Sequence, residues 1–111
     1  MNRFDGPAGG RQGTGTVAGF VFYDDNGDGV RQPSERGAEN ILLVLDGRFA
    51  ATTNRDGYYN FGAVSLGTHA LAVQLEKVPL PWGLADETPR QIVVRLREES
   101  RVDIGLTRIS P

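Results

Sequence analysis

Residues Asp24-Asp25-Asn26-Gly27-Asp28-Gly29-Val30-Arg31-Gln32-Pro33-Ser34-Glu35 constrain this chain more than any other stretch. They match the calcium-loop pattern D-x-[DN]-x-[DN]-G-x₅-E at every specified position. Asp24, Asn26 and Asp28 offer a side-chain oxygen at every second residue of a curled loop, and Gly29 supplies the sharp turn. Val30 need offer only its carbonyl, so its apolar side chain is acceptable. Gln32 falls where a ligand acts through water, and Glu35 can close the site with both carboxylate oxygens. The predicted metal set is therefore Asp24, Asn26, Asp28, Val30, Gln32 and Glu35, with Ca2+ as the cofactor. Asp24, Asp25, Asp28 and Glu35 against Arg31 and Arg36 leave the segment at net −2, and so many carboxylates in a short loop repel one another without a cation. Asp25 is expected to face water.

The neighbours of the loop decide the fold around it. A paired-helix calcium hand needs a helix on each side, but Thr16 to Tyr23 is built of β-formers and Gly37 follows downstream. Thr16–Tyr23 alternates Val17, Gly19, Val21 and Tyr23 with Ala18, Phe20 and Phe22, and the phenyl rings mark the second set as the core face. Ile41-Leu42-Leu43-Val44-Leu45 is an apolar run of strand length, predicted within 40–46 and covered on both faces. Asp46-Gly47 is a hairpin turn, with Arg48–Thr53 returning. Asn54-Arg55-Asp56-Gly57 turns again into Tyr58–Phe61, and Thr68–Leu75 points His69, Leu71, Val73 and Leu75 to one side.

Pro79, Pro81 and Pro89 make a long loop of 78–89, with room for one helical turn near Ser34 or over Leu84–Glu87. Gln91–Arg97 turns Ile92, Val94 and Leu96 inward, and Arg101–Ile109 does the same with Val102, Ile104 and Leu106. About seven short strands with frequent turn signals predict an all-β antiparallel sandwich.

A chain of 111 residues supports one domain, and 15 glycines with 6 prolines suit a turn-rich β fold. The domain is predicted over 16–110, behind a glycine-rich leader or linker at 1–15. That leader lacks the apolar centre of a signal peptide. A net charge of −2 gives no electrostatic case for nucleic acid or an anionic membrane, and no apolar run is long enough to insert. The absence of cysteine excludes disulfides and thiolate metal sites.

The ordered series of these motifs resembles a known family. It comprises Gly15–Asp24, the loop to Glu35, Gly37-Ala38-Glu39-Asn40, Leu45-Asp46-Gly47, Thr53–Phe61 and Leu66-Gly67-Thr68. The series is similar to the calcium-binding B domains of serine-aspartate-repeat adhesins. More broadly it resembles Cna-B-like and carboxypeptidase-regulatory-like modules with a prealbumin/transthyretin-like, immunoglobulin-like Greek-key sandwich. The resemblance implies a calcium-stiffened structural module of an exported bacterial surface or secreted protein. Its partners would be neighbouring domains of the same chain, and the module itself monomeric. Extracellular modules that bind calcium at ~0.1–1 mM would be empty in cytosol, which also favours export. The family's intramolecular Lys–Asn bond is not expected, because the first strand has no lysine and Lys77 lies late in the chain.

No catalytic constellation is legible: there is one histidine, His69, read as a structural strand residue, and no enzyme is expected. Trp82, between Pro81 and Gly83, is the candidate contact for a glycan or peptide ligand, an alternative reading of function. A second alternative is an accessory domain of an outer-membrane assembly protein, pairing through an edge strand. Arg90, Arg95, Arg97, Arg101 and Arg108 are expected on a solvated face, paired with Glu98, Glu99 and Asp103.

Overall fold

The computed structural model describes residues 13–109. The leader predicted for 1–15 therefore lies largely outside the described residues, as does Ser110. The strands are β1 (Thr14–Tyr23), β2 (Leu42–Leu45), β3 (Phe49–Thr52), β4 (Tyr58–Ser65), β5 (Gly67–Val73), β6 (Trp82–Gly83), β7 (Arg90–Val94), β8 (Glu99–Arg101) and β9 (Ile104–Arg108). The count rises from about seven to nine because β6 forms inside the proline-rich loop and the last strand splits into β8 and β9. One sheet runs β4-β1-β9-β6, with β8 also on β1, and the other runs β3-β2-β5-β7. Most connections cross between the sheets, as in an immunoglobulin-like sandwich. The helical turn expected near Ser34 or Leu84 is instead a 3₁₀ turn at Leu75–Lys77. Among the described residues no helix is long and apolar enough to cross a membrane.

The pairing is not wholly antiparallel. β1 runs antiparallel to β4 but parallel to β8 and to β9. The chain enters β8 from β7 in the opposite sheet, so no hairpin fixes its direction. The Asp46-Gly47 turn behaves as predicted, with φ of 57° and 69° at its two residues and Arg48 N–H donating to the Leu45 carbonyl at 3.1 Å. β4 runs on to Ser65 past a bulge at Gly62-Ala63, where Ala63 has φ of 54°.

The core lies between the sheets and contains Val17, Val21, Ile41, Leu43, Leu45, Tyr59, Phe61, Leu71, Ile92, Val94, Ile104 and Leu106. This reverses the expected orientation of β1. Its valines face the core, while Phe20 and Phe22 lie on the other side. Phe22 is nevertheless fully buried, near Asp24 and Gly105, because the loop after β1 folds back over that outer face. Phe20 is half-buried, with the Tyr58 ring at 5.3 Å and the guanidinium groups of Arg31 and Arg101 at 5.0 and 5.2 Å. The largest rings went where covering material was available from a loop, which strand alternation alone does not reveal.

Two other expectations are corrected. Leu42 and Val44 are only half-buried, so β2 is fully covered on one face rather than two. Leu96 is 50% exposed rather than inward, because β7 ends at Val94 and the chain turns through Arg97 at φ 58°.

Candidate metal centre

The loop begins and ends on one strand. Tyr23 N–H donates to the Arg36 carbonyl at 2.9 Å, Ala38 N–H donates to the Val21 carbonyl at 2.8 Å, and Phe22 bridges Gly37. Residues 36–38 thus replace β4 as the partner of β1 just where β1 ends. A side chain at Gly37 would meet the Asp56 carbonyl oxygen at 1.9 Å, so only glycine lets this segment lie against the next turn. The neck is held by the sandwich, and the intervening residues form a closed loop whose ends are already positioned.

Inside it, the carboxylates of the first and last predicted ligands face the loop backbone. Asp24 is 3% exposed and accepts Gly27 N–H at 3.1 Å and Gly29 N–H at 2.7 Å, one on each oxygen. Glu35 is 4% exposed and accepts Asp25 N–H and Gln32 N–H, both at 2.9 Å, again one on each oxygen. Gly27 and Gly29 have φ of 72° and 76°, the conformation that points their amides inward. The middle of the loop is exposed and linked by side chains. Asp28 accepts Val30 N–H at 2.9 Å and Gln32 Nε2–H at 2.7 Å, and Asn26 Oδ1 accepts Asp28 N–H at 3.3 Å. The Val30 N–H bond, helped by Gln32 and Asn26, holds the Asp28 carboxyl below the usual carboxylate range. Val30 is 61% exposed, as suits a residue whose only expected contribution is its carbonyl.

Among the described residues, no three His, Cys, Asp or Glu side chains stand close enough together to chelate an ion. The acidic groups are gathered into one hydrogen-bonded loop without converging on a point. The donor set is nevertheless all oxygen, the chemistry of a hard cation. A carboxylate oxygen that accepts one N–H keeps a second lone pair. Neither Asp24 nor Glu35 is ion-paired among the described residues, where the ion pairs are His69–Asp46, Arg101–Asp103 and Arg108–Asp25. Arg31 and Arg36 stack on the Phe20 and Tyr23 rings. Two buried carboxylates with no cationic partner fit a divalent oxygen-ligated ion. A cleft of about 400 Å³ reaches Asp24 from outside, walled by Gly27, Gly29, Asp86, Asp103 and Thr107. Gly105 lies under Asp24, where a Cβ would sit 3.0 Å from the Asp24 side chain.

Trp82 lies outside the loop, in β6. Its ring is half-buried, 4.9 Å from the Tyr23 ring, with the Arg108 guanidinium 5.1 Å from its centroid. Tyr23 and Arg108 thus already pack against the ring that was the candidate ligand contact. Arg108 also approaches Asp25 at 4.0 Å, so Asp25 is exposed but not isolated. Of the anticipated arginine pairs on the outer strands, Arg101 with Asp103 is present at 3.0 Å.

Sequence reasoning did not anticipate the surroundings of His69. Its Nδ1 lies 2.5 Å from Asp46 Oδ2, and its Nε2 lies 2.7 Å from the Ser65 carbonyl and 3.5 Å from Ser65 Oγ. The three residue types match a hydrolytic triad, but the geometry does not present one. Nε2 is taken by a carbonyl that can only accept a proton, and the hydroxyl is beyond the reach a general base needs. Asp46 was legible only as a turn residue, and its second role depends on a strand more than twenty residues away.

No family model matches the chain, and no curated protein does. Solved structures do. The chain is similar to GBS52, the minor pilin of Streptococcus agalactiae, with a TM-score of 0.68 and 11% identity over 89% of this chain and 46% of that one. It is similar to the Bacillus anthracis TIE protein, with a TM-score of 0.65 and 13% identity over 87% of this chain and 17% of that one. It is also similar to the pilus 2b backbone protein of group B streptococcus, with a TM-score of 0.60 and 13% identity over 85% and 41% of the two chains. The fold is thus an all-β, immunoglobulin-like sandwich, shared with these proteins. The chain spans less than half the length of each of these proteins.

Proposed function

We propose that this chain is a non-catalytic, calcium-binding structural module of a longer exported surface or secreted protein, stiffening a stalk or a domain junction. The observation that carries the reading is the pair Asp24 and Glu35. These are buried carboxylates at the two ends of a strand-anchored loop, free of any cationic partner among the described residues. The likeness to pilin domains supports the structural and exported parts of the reading. Asp24, Asn26 and Asp28 would hold the ion through side-chain oxygens, Val30 through its carbonyl, Gln32 through water and Glu35 through both oxygens. Calcium would supply the positive charge that the loop lacks. Its binding would draw the side chains of Asp28 and Gln32 away from each other, where they now share a bond of 2.7 Å.

Isothermal titration of the metal-free protein with calcium tests this. One saturable event, absent in Asp24→Asn and Glu35→Gln variants that keep their circular dichroism, is the expected result. No heat beyond dilution at millimolar calcium would remove the metal from the proposal and leave a plain spacer domain.

A further inference from the structure

The edge strands β3 and β4 belong to different sheets and lie beside each other along one side of the sandwich. Between them lies a cavity of about 420 Å³, lined by Leu45, Phe49, Ala50, Phe61, Val64 and His69. His69 is the only histidine in the chain, and its ring connects the two walls. Nδ1 faces Asp46 in the β2–β3 turn, and Nε2 faces the carbonyl of Ser65, the last residue of β4. A carboxylate and a carbonyl can only accept. Neutral imidazole has one N–H and one lone pair, so it serves one of these contacts and sets a lone pair against the other, whereas imidazolium serves both. Asp46 is itself fixed. Its other oxygen accepts Ala70 N–H at 2.9 Å, and its own N–H donates to the Ala70 carbonyl at 2.7 Å. The weaker contact on loss of a proton is therefore the one to the Ser65 carbonyl, four residues back across the β4–β5 corner, where the Ser65 hydroxyl at 3.5 Å is the one donor left to the lone pair.

We propose that His69 is a proton-operated clasp at the β4–β5 corner of the sandwich. Protonated, it ties the β2–β3 turn of one sheet to the end of β4 in the other. On losing its proton it releases the Ser65 carbonyl and loosens the β4–β5 corner.

The charged surroundings are simple. Asp46 faces the ring from the β2–β3 turn, and Arg48 of the same turn acts on Asp46. β4 contributes the neutral Ser65, β7 places Ile92 opposite His69, and the cavity lining holds no other titratable side chain. The bond to Asp46, outweighing burial, raises the His69 pKa above its ordinary value of 6.5. The same bond holds the Asp46 carboxyl below the usual carboxylate range.

The lone histidine makes the test direct. Its ring resonances are followed by NMR from about pH 5 to about pH 9, on either side of the ordinary imidazole value. Amide protection is measured over the same range for Val64, Ser65 and Ala70, corrected for intrinsic base catalysis. The expected midpoint lies above the ordinary value, and protection of Val64 and Ser65 falls through that same midpoint while the strand pairs of β5 and β7 stay protected. In Asp46→Asn the midpoint returns toward the ordinary value, and in His69→Gln the step in protection disappears. A midpoint at or below the ordinary value, or protection unchanged through it, overturns the clasp. The wild-type titration and Asp46→Asn decide the matter even if His69→Gln fails to fold.

Discussion

One hydroxyl does two jobs at Thr53. It accepts Ile41 N–H at 2.8 Å and donates to the Ala38 carbonyl at 2.6 Å, from a side chain 3% exposed. Thr53→Val keeps the shape and strips both bonds, leaving a buried donor and a buried acceptor without partners. Each such group costs ~1–3 kcal/mol, so the expected loss is roughly 2–6 kcal/mol in urea unfolding. A loss below about 0.5 kcal/mol, the range of an inconsequential surface change, would mean that the backbone finds other partners. Gly105 tests the metal reading at the same scale. An added methyl would press on Asp24 at 3.0 Å and on the Phe22 ring at 3.2 Å. Overpacking of this kind costs ~1–3 kcal/mol, and where it displaces a ligand the penalty falls on binding. Gly105→Ala is therefore expected to weaken calcium binding by about tenfold or more, the equivalent of ~1.4 kcal/mol, with the sandwich intact by circular dichroism. Unchanged affinity would show that the methyl is accommodated without moving Asp24 from its place in the loop.

At the scale of elements, the loop and its neck behave as separate parts. The neck needs no ion, because its bonds are backbone bonds to β1. The span between is where calcium would act, and an ion that binds only the folded state stabilises it by ~2.7 kcal/mol at a hundred times its dissociation constant. For a domain near this size each kcal/mol is worth about 4–8 °C, so saturating calcium is expected to raise the melting temperature by roughly 10 °C or more over chelator. Glu35→Gln should abolish most of that difference and also lower the chelator curve, because its amide nitrogen cannot accept one of the two backbone N–H groups that Glu35 now satisfies. Superimposed melts of the wild type in calcium and in EDTA would refute the expectation.

The same separation explains what could be read from the sequence. The loop was legible because its spacing is chemical, and the Asp46-Gly47 turn because its φ requirement is local. The β5 and β7 core positions Leu71, Ile92 and Val94 followed from alternation, whereas in the continuous apolar run of β2 nothing set Leu43 and Leu45 apart from Leu42 and Val44. The orientation of β1 was not legible. Alternation gives two faces without saying which is covered, and here the outer face is covered by a loop that buries Phe22. The parallel pairing of β8 and β9 with β1 was hidden too, since a chain arriving from the other sheet carries no local mark of its direction. The clasp at His69 needed both the turn and the end of β4 in place.

For the molecule as a whole, these local shifts become a pH profile of stability. His69 has a folded-state pKa raised above its ordinary value, so its contribution is fully present below ~6.5 and is lost as pH climbs through the folded value. Asp46 has a lowered one, so its contribution is present above ~3.9 and is lost as pH falls through the depressed value. The window in which both are complete therefore lies between about pH 4 and pH 6.5. In calcium-free buffer the melting temperature should be highest in that window and decline on the alkaline side, at a pH where ordinary carboxylates and lysine do not titrate. His69→Gln is expected to flatten the alkaline decline while leaving an acid limb, because other carboxylates still protonate. Asp46→Asn is expected to diminish both limbs, since it removes the acceptor that shifts His69 as well as the group that titrates at low pH. Calcium would be kept out of this experiment, because proton competition at the loop carboxylates would add its own acid dependence. A wild-type profile on the alkaline side that coincides with that of His69→Gln would show that the imidazolium contributes nothing to the stability of the fold.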